Sequence, residues 1–203
     1  MTAGRAAALA ASLVVAGCSL APPGSAGPAP ETLPPPGYGT LRQDEVTLSF
    51  TSGDLQVKVT PLAESVLVTV APDTYRRLQG LVAAHGPRVA REAGSATPTL
   101  FLVSFFSDRQ GTTFVPEEVQ LRSLGVRLRP ATIVPVTPGF GQRRLEQRET
   151  EMAVYAFDGE VDLESDLVAM YGLVENNSWA TILARVQAER ARARGRAAGP
   201  GGA

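Results

Sequence analysis

Between Thr99 and Ser107 the chain reads TLFLVSFFS, apolar at Leu100, Phe101, Leu102, Val103, Phe105 and Phe106. A run this short and this continuous suits a strand buried on both sides, because a buried helix needs a longer stretch. It predicts a central strand with Phe101, Val103 and Phe105 on one of its faces. Shorter runs accompany it. Glu45–Phe50 alternates, with Val46, Leu48 and Phe50 in phase, and Leu55, Val57 and Val59 repeat the pattern after Ser52-Gly53-Asp54. Two alternating runs around such a turn predict a hairpin. Val66, Val68 and Val70 predict a third strand over Ser65–Val70. Further strands are expected at Glu118–Ser123, Val126–Leu128, Thr132–Val136, Ala153–Phe157 and Leu167–Tyr171, with a polar edge strand at Gln142–Arg148.

Two helices interrupt this pattern. Pro72-Asp73 opens one, Tyr75, Leu78, Leu81 and Val82 give it a stripe, and Gly86-Pro87 ends it, which predicts a helix over about 73–85. Asn177 or Ser178 caps the other, predicted over about 178–194, with Trp179, Ile182, Leu183 and Val186 on one side. Strands with turn signals every ten residues or so are expected to form a mainly β protein of the sandwich type.

Composition limits the class of function. The 203 residues suffice for one domain with a core, and the net charge of −1 gives no general field for nucleic acid. Lys58 is the only lysine, and the dominance of arginine reads as genome composition. A single cysteine, Cys18, excludes an internal disulfide framework and a cysteine-based zinc site. No cofactor is expected beyond a covalent lipid. No Gly-x-Ser-x-Gly elbow, phosphate-binding loop or His-Glu-x-x-His helix occurs, so an enzyme is not expected.

Cys18 follows Arg5, the apolar run Ala6–Ala16 and the step Val15-Ala16-Gly17. This resembles the signal peptide and lipobox of a bacterial lipoprotein. The resemblance implies removal of residues 1–17 and attachment of a diacylglycerol and an acyl chain to Cys18. Two or more chains hold a protein on a membrane, at about 0.8 kcal/mol per buried CH₂. It implies a place in the bacterial cell envelope, with the membrane as partner. Where the source is Gram-negative, Ser19 after the cysteine resembles the outer-membrane sorting pattern, facing the periplasm. Residues 18–40 are rich in Pro and Gly and are expected to be a solvated tether. Residues 41–194 are then the domain, and 195–203 a disordered tail. The stretch Phe101–Tyr171, with its Phe-rich strand, Phe114-Val115-Pro116 and Tyr155-x-Phe157-Asp158, resembles immunoglobulin-like domains of uncharacterised lipoproteins. That implies an immunoglobulin-like β-sandwich presenting a surface to an envelope protein or surface polymer.

Two charged features are candidate sites. Asp158, Glu160, Asp162, Glu164 and Asp166 alternate with other residues. On an extended strand they share one face at spacings of about 6.6 Å, either as a solvated face or as a weak calcium site. Arg185, Arg190, Arg192 and Arg194 make the last helix basic, which suits its C-terminal dipole and offers contact with a polyanion. Arg185 and Glu189 are also spaced as an i, i+4 pair. His85, the only histidine, is expected at a helix end.

Overall fold

The computed structural model describes residues 32–199. Its strands are β1 (Leu48–Ser52), β2 (Leu55–Pro61), β3 (Leu100–Ser107), β4 (Thr112–Thr113), β5 (Val119–Ser123), β6 (Val126–Leu128), β7 (Pro130–Pro135), β8 (Arg144–Leu145), β9 (Glu149–Phe157), β10 (Leu167–Tyr171) and β11 (Val174–Asn176). The helices are α1 (Glu64–Leu67), α2 (Pro72–Ala93) and α3 (Trp179–Ala198). One antiparallel sheet runs in the order β1-β2-β3-β9-β7 and a second in the order β11-β10-β5-β6, with β4 and β8 as a short pair. The protein is mainly β, a sandwich with accessory helices.

The core lies between the two large sheets. Leu48, Val57, Phe101, Val103, Phe105 and Tyr155 face it from the first sheet. Val119, Leu121, Leu167, Ala169 and Tyr171 face it from the second. Phe105 stacks on Phe114 with ring centroids 4.4 Å apart, and Tyr171 meets the same Phe105 edge-on at 6.0 Å. Both arrangements suit the ring quadrupole. The Tyr155 hydroxyl donates to the Pro116 carbonyl at 3.1 Å, which lets a wholly buried phenol keep its hydrogen bond. Burial pushes its pKa well above the usual phenol value.

A second, smaller core lies on the outer face of the first sheet. Leu100, Leu102, Val134, Val154 and Ala156 meet Leu78 and Val89 of α2 there. So β3 is sandwiched on both sides over Leu100–Val103, whereas Ser104 and Phe106 are only half-buried. The first sheet ends at β7, whose Pro130 and Pro135 are tolerated because an edge strand pairs on one side only.

Several local expectations are corrected. Residues 65–70 are not a strand. Glu64–Leu67 forms a helical turn in which Val68 N–H bonds the Glu64 carbonyl. Val66, Leu67, Val68 and Val70 are all buried, so their alternation carries no face preference. The ladder position beside Val70 is taken by Leu41: Leu41 N–H donates to Thr69 at 3.0 Å and its carbonyl accepts from Ala71 at 2.8 Å. The first helix does not stop at Gly86-Pro87 but runs through Pro87 to Ala93. Val89 continues the buried stripe of Leu78, and the apolar face outweighs one missing backbone bond. The stop is Gly94, at φ +65°, where glycine has no steric penalty. His85 therefore lies inside α2. Of the expected strand 142–148 only Arg144–Leu145 forms. Arg143 and Arg148 have φ near +55° and +59° and break the extended run on either side.

The domain's ends also differ from expectation. The compact unit begins at Leu33, and Pro34 and Gly39 are buried. A side chain at Gly39 would overlap the backbone of Thr69 and Val70, so the chain approaches α1 there as only glycine allows. At the other end α3 continues to Ala198, four residues into the expected tail.

Candidate functional site

Cys18 lies outside the described residues. No helix among the described residues is long and apolar enough to cross a membrane.

The acidic segment is not an extended strand. Residues 158–166 connect β9 to β10 as bends and a turn, anchored by Val161 and Leu163 in the core and by a hydrogen bond from Trp179 Nε1 to the Leu163 carbonyl at 3.2 Å. Three of its carboxylates, Asp158, Asp162 and Glu164, are directed to different partners, and Glu160 and Asp166 are exposed. Asp158 Oδ1 accepts from Arg129 N–H at 2.5 Å. Asp162 accepts from the Glu164 N–H at 2.8 Å and the Ser165 hydroxyl at 2.5 Å. The Ser165 and Glu164 bonds hold the Asp162 carboxyl below its usual pKa. Glu164 pairs with Arg190 at 2.6 Å, and that hydrogen bond lowers its pKa. Among the described residues no three acidic, histidine or cysteine side chains converge as metal ligands do.

The basic helix is corrected too. Arg190 is 3 % exposed, with Nε on the Ser65 carbonyl at 2.8 Å and NH2 on Glu164. It joins the acidic loop to α1 and is unavailable to a polyanion. Arg185 bonds the Glu45 carbonyl at 3.1 Å rather than Glu189. Arg192 lies 3.5 Å from Glu189. Arg194 is half-buried and has interactions of its own. Glu189, 1 % exposed, accepts from the Thr40 N–H at 3.0 Å, the Thr40 hydroxyl at 2.8 Å and Arg196. Burial raises its pKa, but the Thr40 and Arg196 hydrogen bonds outweigh burial and leave it below the usual glutamate value. Arg196 also holds the Tyr38 carbonyl at 2.8 Å. One ion pair, Glu164 with Arg190, thus joins the two charged features, and Glu189 and Arg196 of the same helix hold the segment leading into the domain.

The surface offers two larger concavities. One, of about 660 Å³, lies beyond the end of α2 between Ser95–Thr99, Ala131 and Asp158–Val161. Its floor is loop and hydroxyl, and its Asp158 is already engaged. The other lies on the outer face of the first sheet, beside the first turns of α2. There β1 and β2 expose Ser49, Thr51, Gln56 and Lys58, the residues out of phase with the core. A trough of about 420 Å³ opens over Lys58 and its cross-strand partner Ser104. Gln43, Asp44, Thr74 and Arg77 wall it, with Met152 as its apolar side. Arg77 donates to Gln43 Oε1 at 2.7 Å, and Asp44 lies 3.4 Å from Arg42. Among the described residues Lys58 has no hydrogen-bond or ion-pair partner.

This trough is the candidate site. Reading the residues in order missed it. Lys58 was visible as the one lysine on the polar phase of β2, but Arg77 and Ser104 join it only through the sheet register and the placement of α2. No protein-family model matches the chain, and no curated protein or solved structure matches it either.

Proposed function

We propose that the protein is a lipid-anchored module of the bacterial cell envelope that binds a ligand, an envelope protein or a surface polymer and carries out no chemistry of its own. The observation that carries the binding reading is the division of the first sheet's outer face. An apolar half is covered by α2, and a mainly polar half stays open around a trough lined by Lys58, whose side chain has no partner among the described residues. The anchoring reading is supported by the sequence Leu13–Cys18. The hydrogen bonds from Thr40 and Arg196 suit a domain whose N-terminal side takes a load, because they tie that side to the longest C-terminal element.

Two measurements test this. Intact mass and membrane partition of the mature protein should give an acylated N-terminus at Cys18, and Cys18→Ser should release the protein from the membrane. A mature, unmodified N-terminus elsewhere overturns the anchor. Crosslinking in native membranes should recover one reproducible partner, lost when the trough is filled by Ser104→Trp.

A further inference from the structure

We propose that the trough over β2 and β3 binds a small ligand through a carboxylate group, held by Lys58 and Arg77. The inference deepens the binding-module reading and rests on it for the claim that a ligand is needed.

Val57 and Val59 are fully buried, so the strand turns Lys58 outward. Its neighbours hold it half-buried. Its stem is covered there, and its ammonium has no acidic partner among the described residues. Several cations of this protein meet acids: Arg109 lies 3.0 Å from Asp54, Arg122 3.3 Å from Glu175 and Arg143 2.5 Å from Glu117. Arg76, Arg127 and Arg148 meet none among the described residues, but they are exposed, whereas Lys58 is half-buried in a trough beside a second cation, Arg77.

Charge and shape narrow the ligand. The ionisable groups lining the trough are Lys58, Arg77 and Asp44, a surplus of one positive charge. That surplus matches a monoanionic carboxylate better than a dianionic phosphate. Arg77 uses one guanidinium nitrogen on Gln43, which leaves other N–H groups to meet a carboxylate oxygen. Ser104 and Thr74 add hydroxyl donors, and Met152 gives the organic part of the ligand an apolar wall. About 420 Å³ lies within the range of small-molecule sites.

The single lysine also makes the test specific. In the full chain with nitrogen-labelled lysine, one side-chain ammonium signal reports Lys58. Titration with sodium acetate and sodium hexanoate should move that signal saturably. Sodium chloride at equal ionic strength should move it little and without saturation. Hexanoate should bind tighter than acetate because of Met152. Arg77→Gln should weaken binding about tenfold. Thermal melting provides a second readout, in which hexanoate raises the melting temperature of wild type and not of Lys58→Met. Equal responses to carboxylate and chloride overturn the proposal, as does unchanged affinity in Arg77→Gln. Phosphate saturating at lower concentration than either carboxylate overturns the assignment of ligand class. A recovered envelope partner with no carboxylate response overturns this inference and spares the module. A carboxylate response in a chain bearing no lipid spares this inference and overturns the anchor.

Discussion

The two halves of the first sheet's outer face differ in one respect, the side chains they place out of phase with the core. On β9 and the first half of β3 these are Leu100, Leu102, Val154 and Ala156, and α2 lies on them. On β1, β2 and the second half of β3 they are Ser49, Thr51, Gln56, Lys58, Ser104 and the half-buried Phe106, and α2 borders them only through Thr74 and Arg77 of its first turns. The backbone ladder is continuous across both halves. The comparison teaches that coverage follows the outer phase of each strand, and that a sheet can leave part of one face open by making that phase mainly polar there.

The contrast can be broken at several depths. Phe105→Ala removes a fully buried ring from the inner core, shared by both halves, and should cost about 3–5 kcal/mol in denaturant unfolding. A loss under about 1 kcal/mol would mean that the strand is not central. Leu102→Ala, under α2, should cost about 3 kcal/mol, against a change within about 0.5 kcal/mol for Lys58→Met on the open half. Equal costs would erase the distinction between the halves.

Glu189→Gln tests the ties at the N-terminal side and should cost about 2 kcal/mol at neutral pH, since charged hydrogen bonds from Thr40 and Arg196 are weakened. The pH dependence has a definite sign. The folded pKa of Glu189 is depressed, so its contribution is complete above the usual glutamate value of 4.5 and is lost as pH falls through the folded value. Glu164 and Asp162 act in the same direction. Wild type should therefore lose stability on acidification, and Glu189→Gln should lose less over that range. Parallel pH profiles would show that Glu189 is not held as described. The smallest expected effect is that of calcium. With no three of the acidic loop's carboxylates converging among the described residues, millimolar calcium and sodium chloride of equal ionic strength should give the same melting curve. A calcium-specific rise, abolished by Asp162→Asn, would restore the metal reading of residues 158–166.

Much of the β framework was legible in the residues. The hairpin of β1 and β2 follows from two alternating runs around Gly53, whose φ of +61° the turn requires. The inner-face burial of Phe101, Val103 and Phe105 follows from strand periodicity. Periodicity failed where it had no contrast to work on. Val66 to Val70 are buried in every direction, so a two-residue period is not informative there, and the slot beside Val70 went to Leu41. It failed again at Pro87, where a local rule for stopping a helix was overridden by the packing of Val89. The charged motifs failed for a different reason. The alternation of five acids is compatible with a strand, but Val161 and Leu163 are drawn into the core and Trp179 bonds Leu163, which turns the segment into a loop.

The sequence by itself determined which residues turn inward, because period-two and period-3.6 patterns are local properties of strands and helices. It also determined that Lys58 would lie on the polar phase of its strand. Only the tertiary structure decided which charges meet. Arg190 with Glu164, Arg196 with the Tyr38 carbonyl and Lys58 with no side-chain partner among the described residues are outcomes of how α3 and α2 lie on the sandwich. Such pairings join residues far apart in the chain, and electrostatic attraction over that separation has no signature in local spacing. That is why the acidic run and the basic helix, each conspicuous when read alone, are joined through Glu164 and Arg190, while Lys58, in an ordinary strand, meets Arg77 across a trough.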